Sequence, residues 1–223
     1  MPHLLHLDSS ADGERSRSRA ITATFAAAWR DLGAGYTVTH RDLHRDPLPH
    51  LADAALHWPP RLRREGAAPP AAAEALQEEL IAELTSADVL LVGAPLYNYS
   101  VPSSLKAWID HIHVPGVTAP FDVPTQPLAG RPAVVVNSQG AAYDAGTPTE
   151  GWDHAIPVLE LILGTALGMT LTVITTSLTL AETVPALAGQ LGRSRAELAR
   201  AHEMATETAK RLAAAHPASP TAN

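Results

Sequence analysis

The chain contains no cysteine. That absence excludes disulfides, thiolate nucleophiles and cysteine-ligated metals together. Aromatic residues are scarce, at 4% of 223 residues, so each of the four Trp, four Tyr and two Phe is worth locating singly. Lysine is scarcer still, with only Lys106 and Lys210 among sixteen basic residues. The 23 acidic residues outnumber the basic ones and give a net charge of −7. Such a chain is a poor general binder of nucleic acid or acidic membranes. Residues 1–8 have no basic stretch ahead of their short apolar run, so no secretory leader is expected. The most apolar window, 156–175, is broken by Glu160 and two glycines, which argues against a membrane-spanning helix. A cytoplasmic protein is the expectation.

Hydrophobic residues make up 46% of the chain and charged residues 17%, which suits a sizeable core. The length fits one domain, expected over 1–216, with 217–223 as a disordered tail. Strands are predicted at 4–8, 36–40, 89–94, 133–137 and 171–175. Helices are predicted at 16–32, 71–85, 102–111, 153–167 and 193–215. The strands at 89–94 and 133–137 are apolar but for the closing Asn137, as at the centre of a parallel sheet buried on both faces. Residues 42–70 form a long irregular stretch with six prolines, and its 57–70 part suggests a variable lid. Regular alternation of strand and helix predicts a doubly wound α/β domain, a parallel sheet wrapped by helices on both faces.

In such sheets ligands bind beyond the carboxyl ends of the strands, near the point where strand order switches. Three loops therefore carry the functional reading. The first, Ser9 to Arg19, offers hydroxyls and arginines ahead of a helix N-terminus, a combination that suits phosphate as well as a simple serine cap. It is neither a Walker loop nor a GxGxxG fingerprint. The second, Ala94 to Lys106, sets Asn98 between Tyr97 and Tyr99, which can line a flat ring or merely cap the sheet edge. The third, Asn137 to Tyr143, has small residues that let backbone amides approach a ligand.

Taken in order, Ser10 with Ser16-Arg17-Ser18, then Pro95-Leu96-Tyr97-Asn98-Tyr99-x-x-Pro102-x-x-Leu105-Lys106, then Ser138-Gln139-Gly140-Ala141, resemble the FMN-dependent NAD(P)H:quinone oxidoreductase and azoreductase family. The resemblance runs from Leu4 to about Val184. It implies a flavodoxin-like five-stranded parallel sheet in the order 2-1-3-4-5. It implies FMN as cofactor, with NADH or NADPH as electron donor. By the resemblance, Ser10, Ser16, Arg17 and Ser18 hold the phosphate. Pro95, Leu96, Tyr97, Asn98 and Tyr99 line the isoalloxazine, with Tyr97 and Asn98 orienting it. Ser138, Gln139, Gly140 and Ala141 meet the pyrimidine side. Phe121 is a candidate wall for the substrate, and Tyr143 is a second substrate-side candidate. A homodimer is implied, with small-molecule acceptors alternating with the donor in ping-pong fashion.

The sequence departs from the family pattern where Gln139 replaces a common Arg, and where Thr165 and Ala166 replace a common aromatic. These changes suggest a wider pocket and a specialised, even biosynthetic, substrate. A flavodoxin-like electron carrier and a flavin-free scaffold are the alternatives from other classes. Eleven histidines invite a metal reading, with His111-x-His113 and His3-x-x-His6 the closest spacings. Four well-placed ligands are not evident and no HExxH occurs, so no metal is expected. A nucleophile elbow of the GxSxG type is also lacking.

Overall fold

The computed structural model describes residues 1–216; the tail expected at 217–223 lies outside them. Five parallel strands, β1 His3–Asp8, β2 Thr37–Asp42, β3 Val89–Gly93, β4 Pro132–Ser138 and β5 Thr170–Thr176, form one sheet in the order β2-β1-β3-β4-β5. The helices are α1 Arg17–Arg30, α2 Ala71–Ser86, α3 Ser103–Ile112, α4 Ala155–Leu159 and α5 Leu191–Ala215. The expected sheet order and the helices on both faces are both present.

Strand alternation sorts the core into two layers. Leu5 and Leu7 of β1 join Leu90, Val92, Ala133 and Val135 on one face, where Leu80, Leu84, Trp108 and Ile112 from α2 and α3 cover them. Leu4 turns to the opposite face with Val89, Leu91, Val134 and Val136, under Ile21, Phe25 and Trp29 of α1 and Ala205 and Ala209 of α5. Each fully buried Leu or Val side chain contributes roughly 1.5–3 kcal/mol relative to exposure, so these central strands dominate stability.

Every residue of β3 is buried. Its last residue, Gly93, pairs with Asp8 of β1. A Cβ at position 93 would lie 2.7 Å from an Asp8 carboxylate oxygen, so the bare backbone there makes room for that side chain.

The structure differs from the sequence expectation at three places near the site. Strand β2 runs two residues further than predicted because Arg41 and Asp42 pair with Leu7 and Asp8. The helix predicted over 153–167 is one short α-helical stretch that opens into a π-helix at Glu160–Ala166. Gln126 donates from outside to the carbonyls of Thr165 and Ala166, at 3.3 and 3.0 Å, and the Leu167 amide reaches back five residues to Ile162. Two 3-10 turns, Thr179–Glu182 and Pro185–Gln190, follow β5 where no element was predicted.

Candidate functional site

A cleft of about 440 Å³ opens beyond the carboxyl ends of β1, β3 and β4. Strands β1 and β3 lie side by side while their neighbours in sequence go to opposite edges, so this is the switch point of the sheet.

The first wall comes from the start of α1. Ser16 caps the helix, its hydroxyl accepting from the Arg19 amide at 3.3 Å and lying 3.0 Å from the Ser18 hydroxyl. The amides of the first helical turn have no intrahelical partner and present the positive end of the helix dipole. Arg17 is only 8% exposed. One of its terminal nitrogens leans on the Ser177 and Ser194 carbonyls at 3.4 and 3.5 Å. The other is buried with no hydrogen-bond partner. It stands 3.4 Å from a Glu182 oxygen, within ion-pairing range but not aligned for a hydrogen bond. Ser10 and Ser16 line the same cleft, whereas Ser18 is fully buried behind it.

Arg19, which sequence reasoning left unassigned, holds the loop in shape. It donates to the Ser10 carbonyl at 2.7 Å and to both Asp42 oxygens at 2.6 and 2.8 Å. The Arg19 hydrogen bond lowers the Asp42 carboxyl to about 2. Its spacing from Arg17 was visible in the sequence, but its partner on β2 was not.

The second wall is Pro95, Leu96 and Tyr97. The Leu96 amide donates to the Ser138 carbonyl at 2.9 Å, tying this loop to the end of β4. The Tyr97 phenol oxygen accepts from the Ala11 amide at 3.0 Å and lies 3.1 Å from the Ser10 hydroxyl, so it bridges the first two loops. Tyr97 and Ser100 exchange backbone hydrogen bonds across Asn98 and Tyr99, whose φ values are 48° and 68°. Two successive positive φ angles define a type I′ turn, natural for Asn and strained for Tyr. Tyr99 is held there by an edge-on contact with Trp152, centroids 5.3 Å apart, and by the His154 amide on its carbonyl at 2.9 Å. Asn98 and Tyr99 are exposed and form the rim of the cleft rather than its wall.

The third wall is Ser138 and Gly140, faced by Thr179, Leu180, Glu182 and Thr183 from the unpredicted turns. A Cβ at Gly140 would come 3.0 Å from Leu180, so this edge is closely fitted. Gln139 does not line the cleft. Its side-chain amide donates to Asp153 at 2.8 Å and its oxygen accepts from Ser177 at 3.1 Å. Its backbone amide and carbonyl are bonded to Thr176 and Thr179. Ala141 also stands behind the cleft, its carbonyl accepting from Leu178. Asp153 caps α4 through the Ala155 and Ile156 amides and collects Asn137 as well.

Tyr143 is half-buried. Burial, then Tyr99 and Asp153, push its phenol up, so it is protonated at neutral pH and able to donate. Phe121 is 63% exposed and packs on Trp58, centroids 5.2 Å apart, away from the cleft. Arg61 joins these two segments by donating to Asp122 and to the Gly116 carbonyl at 2.9 and 2.8 Å.

The histidine spacings singled out in the sequence do not make clusters. The His111 ring faces the Pro49 carbonyl at 3.0 Å, whereas His113 lines a separate depression with His57 and Lys106. His3 meets Thr39, and His6 faces His40 and Asp8 instead.

Residues 2–213 match the family described by a flavodoxin-like fold. A protein of Kineococcus radiotolerans named FMN-dependent NADH:quinone oxidoreductase is 62% identical over 212 residues, covering 95% of this chain and 100% of its own. The chain belongs to the FMN-dependent NADH:quinone oxidoreductase family. A Streptomyces avermitilis member of the same name is 40% identical, covering 96% of this chain and 98% of its own. Among solved structures, an azoreductase from Bacillus anthracis str. Sterne superposes with a TM-score of 0.78 at 18% identity, covering 95% of this chain and 100% of its own. An FMN-dependent NADH-azoreductase from Bacillus anthracis str. Ames Ancestor in complex with FMN gives 0.74 at 20% identity, covering 96% and 100%. The residues of this cleft suit the family's cofactor. A buried guanidinium nitrogen without a hydrogen-bond partner, beside two serines at a helix N-terminus, fits a phosphate, and the close-fitting Pro95-Leu96-Tyr97 and Gly140 edges fit a flat ring.

Proposed function

We propose that this protein is an FMN-dependent NADH:quinone oxidoreductase that also accepts azo compounds, working by ping-pong hydride transfer. The observation that carries the reading is Arg17, buried at the mouth of α1 with one guanidinium nitrogen lacking a hydrogen bond, in the same cleft as Pro95, Leu96, Tyr97 and Gly140. Bound FMN supplies the hydride chemistry; the protein binds, orients and shields. Arg17, Ser10 and Ser16 hold the phosphate, with the first-turn amide of Ser18 beside them. Pro95, Leu96 and Tyr97 support one edge of the ring, and Asn98 and Tyr99 form its rim. Ser138 and Gly140 flank the other edge, and the Ala141 backbone supports their loop. Gln139, whose side chain is bonded to Asp153 and Ser177, fixes that loop rather than touching the ring. Tyr97, which lines the cleft, and Tyr143, on the loop after β4, are the candidate proton donors, each at its phenol oxygen.

Phe121 and Trp58 belong in this reading to a homodimer, covering the neighbouring subunit's cleft as well as their own surface. Among the described residues no helix is long and apolar enough to cross a membrane, which accords with a cytoplasmic site of action.

The test is the absorbance spectrum of the purified protein, then anaerobic NADH, then a quinone. Flavin bands that bleach with NADH and return with menadione are the expected result. A colourless protein that also fails to bind added FMN would overturn the proposal.

A further inference from the structure

A second polar site lies on the α1 side of the β1–β2 edge, separate from the cleft. His6 of β1 and His40 of β2 are register partners, so their side chains stand together on one face. Their ring centroids are 4.4 Å apart. Asp8, two residues along β1, points its carboxylate into the same space, one oxygen lying 3.2 Å from His6 Nε2 and 3.0 Å from His40 Nε2. The three potential ligand atoms all fall within 4.8 Å of one another. His40 Nε2 is hydrogen-bonded to Asp8. His6 Nε2 is within ion-pairing range of the same oxygen but not aligned for a hydrogen bond: the residue is 4% exposed, and this buried nitrogen is aimed at the cluster without an aligned partner. Burying a polar nitrogen unpaired is costly, and a cation shared with Asp8 and His40 would relieve it.

We propose that His6, Asp8 and His40 form a binding site for a zinc-class divalent cation. Two imidazoles and one carboxylate are the borderline donors that suit Zn²⁺ or Co²⁺ rather than Mg²⁺ or Ca²⁺. With bonds of about 2.0–2.1 Å, tetrahedral ligands are about 3.3 Å apart, close to the two spacings found here. The side chain of His40 is 42% exposed, which gives the ion a route in and leaves a fourth position for water. Thr22 donates to the other Asp8 oxygen at 2.9 Å and so orients the carboxylate, a support of the kind metal ligands commonly have. The nearest opposing charge is Arg19, 3.8 Å from Asp8, but Asp42 binds that guanidinium at 2.6 Å. Asp8 and Asp42 against Arg19 leave the pocket with one net negative charge before a cation enters.

The ion would join the two strands directly beneath the Ser9–Ser10 loop. This site does not depend on the flavin reading. The test uses the full-length, tag-free protein with whatever flavin it retains, stripped with EDTA and desalted. Zn²⁺ is titrated against a chromophoric chelator, and Co²⁺ is followed by its visible absorption. The expected result is one equivalent bound per chain at micromolar affinity, with a Co²⁺ band of a low-coordinate nitrogen–oxygen site. His40→Gln, at a half-exposed position that should not disturb folding, is expected to weaken binding by more than about tenfold and abolish the band. His113→Gln, in the other depression, should leave both unchanged. His6→Gln is expected to behave as His40→Gln does, provided its circular dichroism matches the parent. Absence of stoichiometric binding up to about 100 μM Zn²⁺, or a His40→Gln protein that binds as the parent does, would overturn the site.

Discussion

The Arg17 guanidinium and the Glu182 carboxylate face each other across the cleft at 3.4 Å without forming a hydrogen bond. Asp12 and Glu182 are the two carboxylates among the lining residues, and Glu182 is the one that faces the guanidinium proposed to hold the phosphate. Removing it leaves Arg17 to the phosphate alone. Glu182→Gln is therefore expected to tighten FMN severalfold, read by quenching of flavin fluorescence. Arg17→Ala should loosen FMN by at least about tenfold, since a charge-assisted contact is lost. If Glu182→Gln weakens FMN instead, the carboxylate holds Arg17 in place rather than competing for it.

Asn98 can act through its amide or through the turn it permits, and two substitutions separate these roles. Asn98→Gly keeps the positive φ of 48° at no steric cost and removes the amide. Asn98→Ala removes the amide and strains the turn by about 1–2 kcal/mol. If both lose turnover equally, the amide orients the flavin. If Gly keeps turnover and Ala does not, the residue serves only the turn. Comparing kcat with thermal midpoints makes the distinction.

Asp153 gathers Asn137, Gln139 and two helix amides on one carboxylate. Asp153→Ala would leave the Asn137 and Gln139 amides without their acceptor and uncap α4. Denaturant titration is expected to show a loss of roughly 2–4 kcal/mol, combining unsatisfied donors with a lost cap. Asp153→Asn, which retains one acceptor oxygen, should lose less. Equal stability of all three proteins would remove Asp153 from this role.

The attachment between the proline-rich segment and the 115–123 loop should depend on pH. The Arg61 hydrogen bond holds the Asp122 carboxyl below its ordinary range. A group whose folded-state pKa is depressed stabilises the fold above its unfolded pKa, and that contribution is lost as pH falls. The contact should therefore be complete at pH 5–8 and weaken below about pH 4. Hydrogen exchange around Arg61 and Gly116, corrected for intrinsic rates, should rise over that interval. Asp122→Asn should already exchange quickly at pH 7; protection equal to the parent would mean that the ion pair does not hold the loop.

Much of the architecture was legible because apolar runs at 89–93 and 133–136 leave a parallel sheet little alternative, and the carboxyl ends of those strands then point to the cleft. The positions of Ser10, Ser16, Arg17 and Pro95 to Tyr97 around one space followed from that register. Other features depend on partners distant in sequence. Arg19 became a scaffold only when β2 brought Asp42 beside it. Gln139 turned inward because Asp153 and Ser177 compete for its amide. The wall of Thr179 to Thr183 has no periodic pattern to read, and the π-helix arises where Gln126, more than thirty residues upstream, takes two of its carbonyls. The pairing of His6 with His40 needed the β1–β2 register: His3, three residues before His6 on β1, points to the opposite face, and His40 is the one histidine of β2.

Gly93 and Asp8 share one small volume at the floor of the molecule's working end. So long as position 8 bears a carboxylate pointing toward α1, even an alanine at 93 forces that carboxylate to shift. Relatives that diverge at one of these positions should diverge at the other, and library designs that randomise 93 alone should return glycine far more often than any larger residue.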